Sequence, residues 1–183
     1  MHLTFDDGPH PLATPAVLRI LHDRNLRATF FLVGNEAAAH AGLVREIVAE
    51  GHQIGNHSLS HTRLIFRPKD VVQSEIHRSS EILKSIAGRT IPFFRPPFGL
   101  FNRTVLKSVR MLGMRCILWN IDSRDFKTQS SSALVARVMK KSTAGSILLF
   151  HDNDLTAQTV SSHLPFVLDT LLEKKFSFAP LPL

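Results

Sequence analysis

The alternation of short apolar runs with longer amphipathic stretches constrains the fold of this chain more than any other feature. Such alternation is typical of strand-then-helix units, in which crossover helices lie outside a sheet of parallel strands. The runs are apolar on both faces, as expected of strands buried on both sides. About seven units follow one another over residues 1–183 without a linker, repeat or low-complexity segment, which predicts a single α/β domain. An open doubly wound sheet and a closed barrel both fit this pattern.

Local signals set the expected bounds of the elements. Strands are predicted over residues 3–5, 28–33, 53–56, 91–95, 114–120, 146–150 and 176–179. Helices are predicted over residues 14–24, 36–50, 69–87, 102–113, 131–141 and 160–175. Thr14 is expected to cap the first helix, with Pro15 at its first position, and Gly51 and Gly88 are expected to end the next two. No glycine-rich phosphate loop follows the first strand, which disfavours a dinucleotide-binding sheet.

Composition narrows the possible partners. The net charge of +7 would attract anionic polymers, but the basic residues are scattered. The sequence has no arginine-rich arm, zinc-finger spacing or RNA-binding aromatic motif, so we expect no nucleic-acid partner. No apolar run reaches the ~18 residues of a membrane span, so none is expected. The single cysteine, Cys116, cannot form an internal disulfide and does not indicate a compartment.

Polar residues suited to catalysis follow five of the predicted strands. In α/β barrels the active site is built from loops at the carboxyl ends of the strands. The residues are Asp6 and Asp7 after the first strand, His57 and His61 after the third, Arg95 at the end of the fourth, Asp122 and Asp125 after the fifth, and His151 and Asp152 after the sixth. Their convergence on one rim indicates an active site.

Asp7, His57 and His61 form a candidate metal triad. Two histidines four residues apart can face one way on a single turn, and a carboxylate completes three protein ligands. Three ligands leave positions open for water and substrate, as in catalytic zinc sites. Imidazole and carboxylate also suit cobalt, nickel and iron, so these residues indicate a metal site more clearly than they indicate which metal it holds. Taken alone, the histidine pair is also compatible with surface or capping chemistry.

Four further residues are candidates for acid–base roles. Asp6, beside Asp7, is a candidate base for a water molecule, although Asp-Asp-Gly-Pro is also good turn chemistry. His151 follows an apolar strand, where it can protonate a leaving amine or simply be a buried structural histidine. Asp125 can orient that histidine, and Arg95 can hold Asp6 ionised. Either could equally be part of a structural ion pair.

Five segments, in this order, resemble the motifs of the polysaccharide deacetylases of carbohydrate esterase family 4. That family includes chitin, chitooligosaccharide and peptidoglycan deacetylases. The segments are TFDDGP at 4–9, HSLSH at 57–61, RPPFG at 95–99, WNIDSRDF at 119–126 and LFH at 149–151. The resemblance extends from residue 3 to about residue 181, and its first two motifs together are very specific. It implies a distorted (β/α)7, TIM-like barrel.

The resemblance also implies roles for the catalytic residues. Asp6 would be the catalytic base, and Asp7, His57 and His61 would bind a divalent metal, Zn²⁺ first and Co²⁺ or Ni²⁺ as alternatives. Arg95 would steady the base. His151 would be the general acid, with Asp125 orienting it or tuning its pKa.

On the substrate side, the third motif places Pro97 and Phe98 at the oxyanion site, where the backbone N–H of Phe98 would help to bind the oxyanion. Leu149 would line the pocket, and Phe126 would form one wall of the groove. Many members have tyrosine at the position of Phe98, a change that a main-chain donor should tolerate. Many have tryptophan at the position of Phe126, so this wall is smaller here and substrate preference can differ.

The function that follows is removal of N-acetyl groups from an N-acetylglucosamine-containing glycan, with release of acetate. An O-acetyl xylan esterase on the same scaffold and an inactive carbohydrate-binding module are the alternatives. We expect a monomer whose partner is the N-acetylated glycan. The resemblance points to a secreted or cell-envelope location, whereas no signal peptide precedes the first predicted strand, so the compartment stays open.

Overall fold

Seven parallel strands form one curled sheet in the computed structural model, which describes residues 1–127 and 129–183. The strands are β1 (His2–Asp6), β2 (Thr29–Leu32), β3 (Gln53–Asn56), β4 (Phe93–Phe94), β5 (Arg115–Cys116), β6 (Ile121–Asp122) and β7 (Ile147–His151). Their order is β5-β4-β3-β2-β1-β7-β6, and every neighbouring pair is parallel. The architecture is the distorted (β/α)7 barrel that the sequence predicts.

The barrel closes at a seam between β5 and β6, which lie at opposite ends of the hydrogen-bonded order. Only residues 117–120 separate these two strands along the chain, so the chain crosses there from one edge to the other. The N–H of Ile117 donates to the carbonyl of Phe94 (2.8 Å), and the N–H of Asn120 donates to the carbonyl of Ile147 (3.3 Å). The crossing therefore ties both edges together and curls the sheet.

The helices pack their apolar faces against the outside of this sheet. They are α1 (Ala13–Asp23), α2 (Gly34–Ala39), α3 (Ala41–Ala49), α4 (Lys69–Ala87), α5 (Arg103–Met111), α6 (Ser131–Met139) and α7 (Val160–Glu173), with short 3-10 turns at Leu64–Phe66 and Pro97–Gly99. Gly88 ends α4 with a left-handed backbone, as predicted, and Asn102 caps α5 by accepting from the N–H of Val105. Within residues 1–127 and 129–183, no helix offers an apolar stretch long enough to cross a bilayer.

The core lies on both faces of the sheet because successive strand residues point to opposite sides. Phe30 belongs to the large cluster under the helices and stacks on Phe5 at 5.1 Å between ring centroids. Phe31 belongs to a smaller cluster with Phe93 and Leu181. Leu181 comes from the C-terminal tail, and its carbonyl accepts from the side chain of Gln53 (3.0 Å). The tail therefore helps to fill the side of the sheet opposite the helices.

Two predicted strands are corrected by the structure. Within the run 114–120 only Arg115 and Cys116 form a strand, β5, because the chain then leaves the sheet to cross the seam and enters β6 at Ile121. The segment 176–179 is not a strand, although the N–H of Ala179 donates to the carbonyl of Met1 (3.0 Å). The count of seven strands was therefore right, but its members were not all predicted correctly.

Two helix predictions are also corrected. The predicted helix 36–50 is two helices, α2 and α3, separated at His40, whose backbone leaves the helical region (φ −124°, ψ 44°). Thr14 does not cap α1, because the helix begins at Ala13 and the Thr14 hydroxyl is engaged with Asp152 at 2.6 Å. Nδ1 of His10 instead accepts from the N–H groups of Leu12 and Ala13 (3.2 and 3.1 Å) at the start of the helix.

Candidate metal centre and catalytic cleft

A cleft of about 530 Å³ opens at the carboxyl ends of the strands. Parallel strands bring these ends to one rim, so residues far apart in sequence meet there. The lining residues are Asp6, Asp7, His57, His61, Phe98, Trp119, Asp122, Phe126, Leu149, His151, Asn153 and Leu155. Each strand end that the sequence singled out for catalysis therefore contributes a residue to the lining of this cleft, except the end of β4. The residue there, Arg95, is buried behind the lining.

Asp7, His57 and His61 meet within this cleft. Oδ1 of Asp7 lies 3.3 Å from Nε2 of His57 and 3.1 Å from Nε2 of His61, and the three candidate ligand atoms lie within 4.8 Å of one another. Asp7 directly follows β1 and His57 directly follows β3. The turn after His57 is tight, since Ser58 and His61 both have positive φ (67° and 56°).

The donor set of this triad fits a divalent cation. Nδ1 of His57 lies 2.7 Å from the carbonyl of Arg95 and must donate to it, which leaves Nε2 as the lone-pair nitrogen that faces Asp7. Burial alone would raise the pKa of Asp7, but the neighbouring imidazoles of His57 and His61 hold this pKa below its usual range. A carboxylate and two imidazole nitrogens on one side, with an open cleft on the other, match a catalytic rather than a closed structural site.

Asp6 is held by Arg95 beside the triad. Nη1 of Arg95 donates to Oδ1 of Asp6 at 2.6 Å and also lies 2.8 Å from Oγ1 of Thr4. The other oxygen of Asp6, Oδ2, lies 3.7 Å from Nε2 of His57. Only one oxygen of Asp6 is therefore committed to the ion pair, and the other faces the candidate metal position.

Arg95 reaches Asp6 from within the barrel, where its side chain is fully buried. Its Nε and Nη2 donate to the carbonyls of Ile117 and Leu118 in the seam (3.3 and 3.2 Å). The guanidinium lies 4.0 Å from the ring centroid of Phe31. Burial lowers the pKa of Arg95, and the neighbouring Asp6 carboxylate counteracts that effect. One side chain therefore links the candidate base to the closure of the barrel.

His151 is paired with Asp125. Nδ1 of His151 lies 2.7 Å from Oδ1 of Asp125, and the backbone N–H of His151 donates to Oδ2 at 2.8 Å. Burial by itself would lower the pKa of His151, but the hydrogen bond and charge of Asp125, with the charges of Asp6 and Asp7, raise it to about 9. The imidazole is therefore protonated near neutral pH, and Nε2 is the nitrogen left to donate a proton.

Replacing Asp125 with asparagine is expected to lower the pKa of His151 from about 9 toward its ordinary value of ~6.5, because the strongest opposing charge is lost while burial remains. An NMR titration of the His151 ring in metal-free protein measures this shift.

Because the folded-state pKa lies above the unfolded value, protonation of His151 stabilises the fold below pH ~6.5, and the stabilisation is lost as the pH rises through about 9. Asp125→Asn should flatten that slope, and an unchanged pKa would contradict the pairing.

Aromatic and apolar residues form the walls of the cleft. Phe98 is 52% exposed, and its ring centroid lies 4.7 Å from that of His61. The ring of Phe126 meets His151 edge-on at 5.2 Å, and Leu149 also lines the cleft. Pro97 is buried in the 3-10 turn and is not among the lining residues. Of the four predicted substrate-side residues, three therefore lie at the cleft and Pro97 lies behind it.

Sequence reasoning missed several residues that the structure brings to the site. Thr4, which contacts Arg95, lies two positions before Asp6 on β1, so strand alternation already placed both on one face. Asn153 donates to Asp7 Oδ2 at 2.7 Å and follows β7 as directly as the rim residues that were noticed. Trp119 lines the cleft from a segment that was predicted as strand interior, although its place at the start of the fourth family motif could have indicated it.

Comparison with known proteins identifies the family. The polysaccharide deacetylase family model matches residues 1–117. A chitooligosaccharide deacetylase from Azorhizobium caulinodans is 34% identical in an alignment that covers 100% of this chain and 92% of that protein. The crystal structure of a peptidoglycan N-acetylglucosamine deacetylase superposes with a TM-score of 0.94 at 34% identity, covering 99% of this chain and 85% of that one.

An inactive relative has the same fold. The structure of a family pseudoenzyme from Bacillus anthracis superposes with a TM-score of 0.89 at 26% identity, covering 98% of this chain and 63% of that one. The fold alone therefore does not establish activity, and the residues in the cleft carry that argument. Family membership rests on the matched family model and on identity across the whole length: this chain belongs to the polysaccharide deacetylase family of carbohydrate esterases.

Proposed function

We propose that this protein is a divalent-metal-dependent deacetylase that hydrolyses N-acetyl groups on an N-acetylglucosamine-containing glycan, chitin oligomers or peptidoglycan, and releases acetate. One observation carries the proposal: the ligand atoms of Asp7, His57 and His61 lie within 4.8 Å of one another in a cleft that also contains Asp6 and His151. Asp6 and His151 are register partners on the adjacent strands β1 and β7. A candidate base and a candidate acid therefore border the same metal position.

Asp7, His57 and His61 would hold the metal, and we propose Zn²⁺ as the native ion, with Co²⁺ or Ni²⁺ able to replace it. Two imidazoles and one carboxylate are common ligands for all three ions. A divalent cation there would supply Lewis-acid chemistry, polarising the acetyl carbonyl and lowering the pKa of water. The remaining chemistry belongs to residues of the chain.

Asp6 accepts a proton from the attacking water in this scheme. Its ion pair with Arg95 at 2.6 Å orients the carboxylate and leaves Oδ2 to take the proton. Water adds to the acetyl carbon as the new C–O bond forms. The backbone N–H of Phe98 would stabilise the oxyanion, and loss of such a donor typically costs about 10²–10³ in rate.

His151 then protonates the sugar nitrogen as the C–N bond breaks, so that acetate and a free amine leave. A pKa of about 9 keeps its imidazole protonated at neutral pH, as a general acid requires. Asp125 orients the ring through Nδ1. Leu149 and Phe126 provide apolar contacts for the acetyl group and the sugar, and Pro97 supports the turn that carries Phe98. We also propose that the protein acts as a monomer.

Acetate release from N-acetylglucosamine oligomers and peptidoglycan, with acetyl xylan as the competing substrate, tests the proposal. Metal-depleted protein is expected to be inactive, and adding Zn²⁺, Co²⁺ or Ni²⁺ is expected to restore release. Activity that survives complete metal removal would contradict the scheme. Faster turnover of acetyl xylan would support the O-acetyl esterase alternative. Glycan binding without acetate release under all three metals would indicate an inactive binding module.

A further inference from the structure

The loop after β7 contacts the loop after β1 and the start of α1 through three consecutive side chains that the proposed mechanism does not use. Residues 152–154 form this segment, which we call the clasp. Its contacts are Asp152 Oδ2 with the Thr14 hydroxyl (2.6 Å), Asn153 Nδ2 with Asp7 Oδ2 (2.7 Å) and Asp154 Oδ1 with His10 Nε2 (2.8 Å). Each residue of the clasp therefore contacts a different residue of the segment 7–14, which begins with the candidate metal ligand Asp7.

The orientation of Asn153 is determined by its other hydrogen bonds. Its Oδ1 accepts from the backbone N–H groups of Leu155 (3.0 Å) and Thr156 (3.3 Å). The amide nitrogen is then the end that faces Asp7, because a carbonyl oxygen cannot accept from a carboxylate. Oδ2 of Asp7 is therefore occupied by Asn153, and Oδ1 is the oxygen that faces both His57 and His61.

The backbone of Asp7 needs support of this kind. Asp7 has φ 78°, a left-handed conformation that L residues other than glycine rarely adopt and that persists only where surrounding structure enforces it. The fully buried Asp152 carboxylate packs against Gly8, the residue after Asp7, so closely that a Cβ at Gly8 would collide with it. The N–H of Asp152 also donates to the carbonyl of Asp6 at 3.1 Å. The clasp thus contacts both the backbone and the side chain of this turn.

We propose that Asn153 is a positioning residue for the metal: by engaging Oδ2 it presents Oδ1 of Asp7 toward the two imidazoles. This inference rests on the metal site of the proposed function. Asp152, which is hydrogen-bonded to Thr14, supports the backbone of the turn that contains Asp7. Asp154 contributes little, because its side chain is 94% exposed and solvent screens its pairing with His10.

Asn153→Ser tests the proposal. Serine can still accept from backbone N–H groups in the turn, but its side chain is too short to reach Asp7. Zinc affinity, measured without substrate by competition with a chromophoric chelator, is expected to fall about 10- to 100-fold, the usual cost of losing a partner that orients a metal ligand. The visible spectrum of the Co²⁺ form is expected to change in shape, because the arrangement of Asp7 changes.

Asn120→Ser is the matched control. Asn120 accepts from the N–H of Ile147 at 2.7 Å, at the end of β7 opposite to the one that Asn153 follows. It is expected to lower stability while keeping zinc affinity within about twofold of the wild type, because it orients no metal ligand. Equal losses of affinity in both variants would mean general loosening and would overturn the proposal, as would wild-type affinity in Asn153→Ser. A wild-type protein that binds no zinc would instead refute the proposed function.

A measurement on the wild-type protein covers the case in which Asn153→Ser does not fold. The side-chain amide protons of Asn153 are expected to exchange slowly with solvent, both before and after zinc is added, because one of them is donated to Asp7. Rapid exchange in either state would overturn the proposal.

Discussion

Asp6→Asn is expected to reduce turnover by about 10²–10⁴-fold while the protein still binds zinc. Asparagine has nearly the same shape, and its carbonyl oxygen can take the place of Oδ1, which accepts from Nη1 of Arg95 at 2.6 Å in the wild-type protein. It cannot take a proton from water, so the base function alone is removed. The three candidate ligands, including Asp7, are untouched. Steady-state acetate release and zinc content, measured on the same sample, give the two readouts.

Asp169→Asn is the control for this prediction. Asp169 pairs with Arg24 on the surface (2.7 Å) and has no contact with the cleft, so its removal should leave turnover unchanged. Residual activity in Asp6→Asn above about a tenth of wild type would remove Asp6 from the base role, since a positioned base contributes about 10² or more. Loss of zinc from the variant would show instead that Asp6 supports the metal.

Arg95→Met is expected to lower the free energy of unfolding by about 3–5 kcal/mol, the usual cost of removing one partner of a buried ion pair. Methionine fills much of the same volume, but the Asp6 carboxylate is left buried without its cation. The carbonyls of Ile117 and Leu118 in the seam also lose their donors. Urea unfolding monitored by circular dichroism measures the loss, and Arg24→Met, at an exposed pair, is expected to cost less than about 1 kcal/mol.

The double variant Asp6→Asn with Arg95→Met separates the two causes. If the unpaired buried charge dominates, the double variant should be more stable than Arg95→Met alone, and the two effects will not add. If the seam contacts dominate, removing the charge will recover little. A single Arg95→Met variant that loses less than about 1 kcal/mol would show that Arg95 does not tie the candidate base to the closure of the barrel.

The sequence predicted the fold class and the residues at the strand ends for one physical reason. Buried parallel strands need continuous apolar runs, and such runs are visible locally, as in the run that ends at Phe150. Once the strands are parallel, their carboxyl ends share a rim, so Asp7, His57 and His151 were expected to be neighbours. The structure brings them into one cleft, although their roles in catalysis stay predictions.

Local patterns failed where a distant contact overrode them. The apolar run 114–120 resembles one strand, but the barrel closes there, and residues 117–120 must cross from β5 to β6. Thr14 has the residue type of a helix cap, yet its hydroxyl pairs with Asp152, which lies 138 positions away. Each error arises because the competing partner is remote in sequence and only packing selects it.

Sequence by itself determined the alternating architecture, the acids and histidines at the strand ends, and the family resemblance, because short-range hydrophobic periodicity and contiguous motifs encode all three. Tertiary structure alone decided which oxygen of Asp7 faces the histidines, how Asn153 holds the other, and how Arg95 links Asp6 to the seam. These are contacts between side chains brought together by strand pairing, and a one-dimensional pattern carries no information about the direction in which a side chain points across a barrel.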